Sequence, residues 1–321
     1  MSLPDSVARR LVDLACLAPS VHNTQPWTWM VDGDRVRLFA DRTRQLPVED
    51  PSGRNLVLSC GAALHHFRFA AEALGWHTTV RRLPEAAAPD LLAEVRLERT
   101  GPSPTAADDL AVLRRRCTDR RRFTSWPVPD PLLAALADEA AEEGALAEPV
   151  VDVVARFRLE LLSRRAQSVR DADPLAVREQ LSWVRRGGDD GIPRAVLPAE
   201  TSSADAARRS RFGTGVLDDV RAPVESGDGV IALGGFEDVP EEWLRAGEGL
   251  SALWLRATRD GLSVVPLTLP VEVDDVRQEL RDAVLGGAFI PHLLVRIGWQ
   301  AIGRSELPRT PRRPVDDVLI A

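Results

Sequence analysis

Two stretches of the chain carry side chains whose types and spacing could do chemistry. The first is Ala18-Pro19-Ser20-Val21-His22-Asn23-Thr24-Gln25-Pro26-Trp27, which packs a Ser, an Asn, a Gln, two prolines and a Trp into ten residues. Ser, Asn and Gln offer neutral donors and acceptors, and proline stiffens the backbone that carries them. Such a loop suits a flat ligand with polar edges; the bland reading is a helix stop followed by a capped turn into a strand. The second stretch is Arg116-Cys117-Thr118-Asp119-Arg120, where two guanidiniums bracket a hydroxyl. Arg makes the bidentate contacts that suit a phosphate, although a cationic run at a helix end is also favoured by the helix dipole alone. A basic pair, Arg312-Arg313, follows near the end of the chain.

Composition narrows what these groups can serve. A length of 321 residues sets a prior of about two domains, and 44% apolar residues suits a soluble globular core. A formal net charge of −7 argues against a nucleic-acid partner. All 41 basic residues are Arg, which removes lysine Schiff-base chemistry. Cys16, Cys60 and Cys117 lack both a C-x-x-C pair and metal-ligand spacing, so no metal site is expected. Unpaired cysteines suit a reducing compartment. Charges at Asp5, Arg9, Arg10 and Asp13 interrupt any signal-peptide pattern, and no uninterrupted apolar run reaches the roughly 18 residues of a membrane span. The expectation is a cytoplasmic protein with no membrane partner.

The elements that would position the two stretches follow from periodicity. Val7, Leu11, Leu14 and Ala18 recur at helical spacing, predicting a helix over 4–17 that delivers the chain to the first stretch. Alternation around Trp27, Trp29 and Val31, and around Val36, Leu38 and Ala40, predicts a hairpin turning at Asp32-Gly33. A helix over 51–74, apolar nearly all round, should be central and buried, with Gly75 as its terminator. Strands are predicted over 76–83 and 91–98, and the Pro- and Gly-rich run 100–105 reads as a linker. Beyond it, a helix is predicted from near 106 that ends in the Arg-rich run 114–123, and further helices near 131–143, 156–170, 175–185, 241–260 and 274–284. Strands are predicted over 150–154, 229–233, 262–269 and 293–299, and the tail 308–320 is read as extended. From Arg186 to Gly229 the pattern fades, as in a functional lid or a disordered loop.

The motifs together resemble those of the FMN-dependent nitroreductase superfamily. Pro19, Ser20, Asn23, Gln25, Pro26 and Trp27 match its flavin-contacting loop, P-S-x-x-N-x-Q-P-W. Arg116, Thr118 and Arg120 match its phosphate motif R-x-[ST]-x-R, with Phe123 as the following aromatic. The run from Trp243 through Gly261-Leu262 to Ile297-Gly298-Trp299 is similar to the family's ending. In the family, backbone amides after the Gly-Leu turn approach the flavin, which here implies Val265, Pro266 and Leu267. Arg312 and Arg313 match the terminal basic segment, whose second basic residue falls on Thr310, beside Arg309.

In an ordinary nitroreductase the Arg motif precedes P-S-x-x-N, and each site forms across a homodimer interface. The reversed order here resembles the tandem, Acg-like branch. It implies an α+β, nitroreductase-like fold with two halves, 1–104 and 105–321, fused as an internal pseudo-dimer in a monomer. One working FMN site and a lid over 186–229 are expected. The implied function is transfer of reducing equivalents from NAD(P)H through FMN to a small nitroaromatic, quinone or other conjugated acceptor, the flavin supplying the chemistry. The competing reading is a lidded protein that sequesters FMN with little turnover, and a third is a pseudo-enzyme without FMN. His22 could contact flavin or substrate, whereas the adjacent His65 and His66 should pack rather than ligate. Gly213-Thr214-Gly215 lacks the remaining features of a dinucleotide fingerprint.

Overall fold

The computed structural model describes residues 3–121, 123–184, 186, 188–197, 227–300 and 309–320. Its helices are α1 (Asp5–Ala15), α2 (Arg54–Ala73), α3 (Ala106–Arg115), α4 (Asp130–Glu142), α5 (Val153–Asp171), α6 (Pro174–Trp183) and α7 (Pro240–Arg259), with shorter turns after β7 and in the tail. The strands are β1 (Trp27–Asp32), β2 (Arg35–Ala40), β3 (Trp76–Arg82), β4 (Leu91–Arg99), β5 (Leu146–Pro149), β6 (Gly229–Gly235), β7 (Leu262–Leu267), β8 (Ile290–Trp299) and β9 (Leu319–Ile320).

Two sheets repeat one plan. The first runs β3-β4-β2-β1-β9, and the second, read from its β7 edge, runs β7-β8-β6-β5. In each, a helix precedes the first strand (α1 or α4), and a 20-residue helix joins the second strand to the third (α2 or α7). All pairings within the repeat are antiparallel. The departure is β9, which leaves the C-terminal segment and pairs in parallel with β1 at the edge of the first sheet. Where the first sheet has a tight β1–β2 turn through Gly33, the second inserts α5, α6 and the long segment before β6.

The two sheets meet through α2 and α7, and glycine sets how closely these helices approach. A Cβ on Gly61 would lie 2.1 Å from the carbonyl oxygen of Leu244, and one on Gly247 would lie 2.0 Å from that of Leu58. Each glycine thus faces the residue three positions before the other. Around this crossing α2 is buried along most of its length, as its apolar sequence predicts. Trp29 of β1 stacks on Phe67 of α2 with ring centroids 5.2 Å apart. The core beneath the first sheet also takes in Leu110, Val112 and Leu113 of α3 and Trp243 and Leu244 of α7.

His65 and His66 occupy the same interface, each placing Nδ1 2.7 Å from the Ser251 hydroxyl. They are packed, and among the described residues no cluster of His, Cys, Asp and Glu could hold a metal. No helix among those residues is long and apolar enough to cross a membrane.

Several boundaries differ from expectation for local reasons. The strand expected over 150–154 is instead β5 at 146–149, because the Asp152 side chain accepts from the Ala155 amide and caps α5, so Val153 is already helical. The helix expected over 274–284 is α-helical only over Asp274–Glu279 and continues as a π-turn through Val284. The tail is not simply extended, since Val315–Val318 forms a helical turn before β9. Residues 213–215 lie outside the described residues.

Two expectations follow. Gly247→Ala should lower the unfolding free energy by about 1–3 kcal/mol or more, since backbone must move, while Gly101→Ala, in open space, should change it little; chemical denaturation distinguishes them. The second concerns acid. Burial pushes His65 down to about 4 and His292 down to about 3. Below the unfolded value of about 6.5, the unfolded chain takes up protons that the native chain refuses. Stability should therefore fall from pH 6.5 toward 4, beginning above the carboxylate range. His65→Asn or His292→Asn should flatten the upper part of that curve, as read by urea midpoints across pH.

Candidate functional site

The first stretch forms a strained loop. α1 ends at Ala15, Pro19 prevents its continuation, and the Leu17 and Ala18 carbonyls remain available. The loop then places three non-glycine residues at left-handed φ: His22 at 51°, Asn23 at 57° and Gln25 at 49°. Each costs about 1–2 kcal/mol relative to a right-handed conformation, and Gln25 stands directly before a proline. The loop persists because its polar groups are satisfied. Ser20 Oγ accepts from the Gln25 amide at 2.9 Å. Asn23 Nδ2 donates to the Gly191 and Pro311 carbonyls, each at 3.0 Å. Gln25 Nε2 donates to the Asp189 carbonyl at 2.8 Å, while its Oε1 accepts from the Arg313 amide at 2.8 Å.

Across from the loop lies the segment after α3. Arg116 is the C-cap of α3, and Thr118 makes a parallel bridge with Val264 of β7, anchoring the segment to the second sheet. Arg121 turns away to form a bidentate pair with the buried Asp119, at 2.8 and 2.9 Å, so Arg120 is the neighbour that lines the cleft. Phe123 packs on Gly298, where a Cβ would fall 2.2 Å from the ring, and under the Arg296 guanidinium at 4.2 Å. The glycine of Ile297-Gly298-Trp299 is therefore the space that Phe123 occupies.

Loop, segment and tail line one open cleft. Of the residues singled out by the sequence, Pro19, Ser20, Asn23, Arg116, Thr118, Arg120 and Arg312 line it together. Gln25 and Arg313 lie behind the wall and hold the loop to the tail. Val265, Pro266 and Leu267 are half-buried on β7, next to the Thr118 bridge but outside the lining. His22 faces away: its Nε2 lies 2.7 Å from Glu49 Oε2, and both side chains are fully buried.

The lining also includes groups the sequence did not single out. Leu17, Leu113 and Val196 supply apolar wall, and Cys117 and Thr310 add polar groups. Arg309, noted only as a neighbour of Thr310, lines it as well and is exposed. Cys117 was visible inside the Arg motif, but Val196 sits in the pattern-poor segment, where no periodic signal marks it. Of that segment, 198–226 lies outside the described residues. The described part begins by seating on the loop, with the Gly191 amide donating to the Asn23 carbonyl at 3.3 Å.

The electrostatics of the cleft call for an anion. Arg116 is 5% exposed, and its Nε and Nη1 have no hydrogen-bond partner among the described residues. Nor has Arg312 Nε. Both guanidiniums donate to the same Leu17 carbonyl, at 2.8 and 3.1 Å, near the negative end of α1. Arg116 also lies over the Trp254 ring at 4.5 Å. Burial, and then the charge of Arg312, push the Arg116 guanidinium down to about 9, and burial brings Arg312 down to about 10. Two cations forced together with donors to spare fit a phosphate monoester, and the Thr118 and Ser20 side chains fit the polar edge of a ligand beyond it, while Asn23 Oδ1 accepts from Arg312 at 3.0 Å.

No family model matches the chain. Its relatives decide the matter. It is 37% identical to the protein named "Putative NAD(P)H nitroreductase Rv3131" of Mycobacterium tuberculosis, over 98% of this chain and 92% of the relative. It is 34% identical to "Putative NAD(P)H nitroreductase acg" of the same organism, over 97% of this chain and 95% of the relative. This chain belongs to the nitroreductase family, in its Acg-like branch. The expected α+β nitroreductase class therefore holds. Among solved structures, this nitroreductase is similar to the FMN-dependent nitroreductase NfnB of Mycobacterium smegmatis in complex with NADPH. The identity is 15% and the TM-score 0.40, over 64% of this chain and 94% of that one.

If the cleft is an anion site, inorganic phosphate should raise the thermal midpoint of the wild-type chain. Arg116→Ala and Arg312→Ala should each remove most of that rise in a thermal-shift titration.

Proposed function

We propose that the chain is an FMN-dependent oxidoreductase that takes reducing equivalents from NAD(P)H and passes them to a small conjugated acceptor such as a nitroaromatic or a quinone. The observation that carries the reading is the buried pair Arg116 and Arg312, with donors unused, facing a loop that presents Ser20 and Asn23 across the same cleft. The relatives' names, which carry NAD(P)H and nitroreductase, support it. When bound, FMN would supply the hydride chemistry. Arg116, Arg120 and Arg312 would hold its phosphate, with Thr118 as a hydroxyl donor. Pro19, Ser20 and Asn23 would bound the polar edge of the ring system, and Gln25 and Arg313 would keep loop and tail in register. Val265, Pro266 and Leu267 would present backbone toward the flavin from β7.

On this reading the chain is a monomer built as an internal pseudo-dimer, with halves 1–104 and 105–321; of the segment 186–229 expected as a lid, 187 and 198–226 lie outside the described residues. The repeated strand order and the reciprocal Gly61–Gly247 contact support the two-half reading. A single site is supported by what stands at the related position, where Arg68, seven residues beyond Gly61 as Trp254 is beyond Gly247, meets the end of α4. There Glu143 and the fully buried Glu248 side chain already neutralise Arg68 and Arg82. The second half thus offers cations to a ligand at one position, and at the related position its carboxylates neutralise the arginines of the first half.

The protein should purify yellow or take up added FMN with one flavin per chain. NADPH or NADH should bleach the bound flavin, and a nitroaromatic or quinone should restore its colour. Arg116→Ala and Arg312→Ala should each weaken FMN binding by about 1.5–3 kcal/mol. A colourless chain that ignores FMN defeats the proposal, and bleaching only by dithionite would favour sequestration over turnover.

A further inference from the structure

His22 belongs to the loop yet turns its ring into the protein, so it has work other than ligand contact. Its Nε2 meets Glu49 Oε2 at 2.7 Å with neither side chain exposed. Glu49 also pairs with the Arg170 guanidinium of α5. Arg170 Nη1 reaches Glu272 Oε2 at 3.1 Å, and Glu272 Oε1 accepts from Asn55 Nδ2 of α2 at 3.1 Å. The backbone amide of Glu49 is itself held by Glu179 of α6 at 2.8 Å. A buried polar chain therefore runs from the loop through the inserted helices to the turn after β7. Its anchors lie on α2, α5, α6 and the turn after β7.

The loop needs such an anchor. Asn23 and Gln25 hold their left-handed backbone through partners in the tail and in 189–191. His22 opens the left-handed run and has Glu49 as its partner beneath the loop. A buried hydrogen bond to a carboxylate is among the stronger side-chain contacts. Its loss would take one partner from the buried Glu49 carboxylate, which keeps Arg170, and leave the loop free to relax toward ordinary φ.

We infer that His22 and Glu49 are a positioning pair, which fixes the loop in the left-handed geometry that places Ser20 and Asn23 at the cleft and so sets its affinity for FMN. The inference rests on the FMN reading for its binding readout, but its structural half can be read without flavin.

The test compares the full-length chain with His22→Asn, His22→Gln and His22→Ala. Asn tolerates left-handed φ but is too short to reach Glu49, so it removes the hydrogen bond with little backbone penalty. Gln can place an N–H near the carboxylate. FMN affinity, read by quenching of flavin fluorescence, should fall about tenfold or more in His22→Asn and His22→Ala and return toward wild type in His22→Gln. Amide hydrogen exchange over residues 18–27 should quicken in the same order. Wild-type affinity and wild-type exchange in His22→Asn would overturn the inference, whether or not His22→Ala folds. A wild-type chain that binds no FMN defeats the flavin reading instead, and the exchange comparison then decides the positioning role alone.

Discussion

The close contact of α2 and α7 is the constraint on which the remaining architecture depends. Two 20-residue helices can approach backbone to backbone only where neither carries a side chain, and Gly61 and Gly247 make that approach reciprocal. Everything that joins the two sheets is measured from this crossing. Trp254, two turns beyond Gly247, lies beneath Arg116, and His65 and His66 on the opposing helix converge on Ser251. A core this close-packed transmits small displacements rather than absorbing them, so the crossing also sets the separation of the groups around the cleft.

The cleft is a place where favourable interactions have been left incomplete. Cations near the end of α1 gain from its carbonyls, but two guanidiniums sharing one carbonyl remain short of negative charge. The related region near Arg68 and Arg82 resolves the same problem internally, with Glu143 and Glu248. One architecture thus yields an anion-seeking cleft on one side and a satisfied ionic core on the other, and the difference lies in a few carboxylates. Buried ion pairs of the second kind contribute little net stability, but removing one partner is expensive.

Much of this could be read in the sequence, and the limits have physical causes. Periodicity predicts α2, the β1–β2 hairpin and α7 because each buries a regular face. It does not reveal that Gly61 and Gly247 meet, since a face has no address for its partner. The loop motif and the Arg motif were both visible as local residue patterns. Their grouping with Arg312 rested on resemblance, because nothing in the spacing of residues 23, 116 and 312 specifies a shared cleft. β5 was misplaced because the β-branched run at 150–154 outweighed the capping signal of Asp152. The direction of His22 was invisible, since a left-handed residue reverses the expected side-chain path.

The edge strand β9 ties the cleft to the completion of the fold. Arg312, Arg313 and the β9 residues lie within nine positions of one another, and the same short stretch lines the cleft, braces Gln25 and extends the first sheet along β1. The bond from Arg312 to Asn23 spans 289 residues of sequence. Contacts of such separation form late, after the entropy of closing the loop has been met by other structure. On the proposed reading, a ligand gripped by Arg312 would select chains whose last segment has docked, and its occupancy would report on finished molecules rather than on folding intermediates.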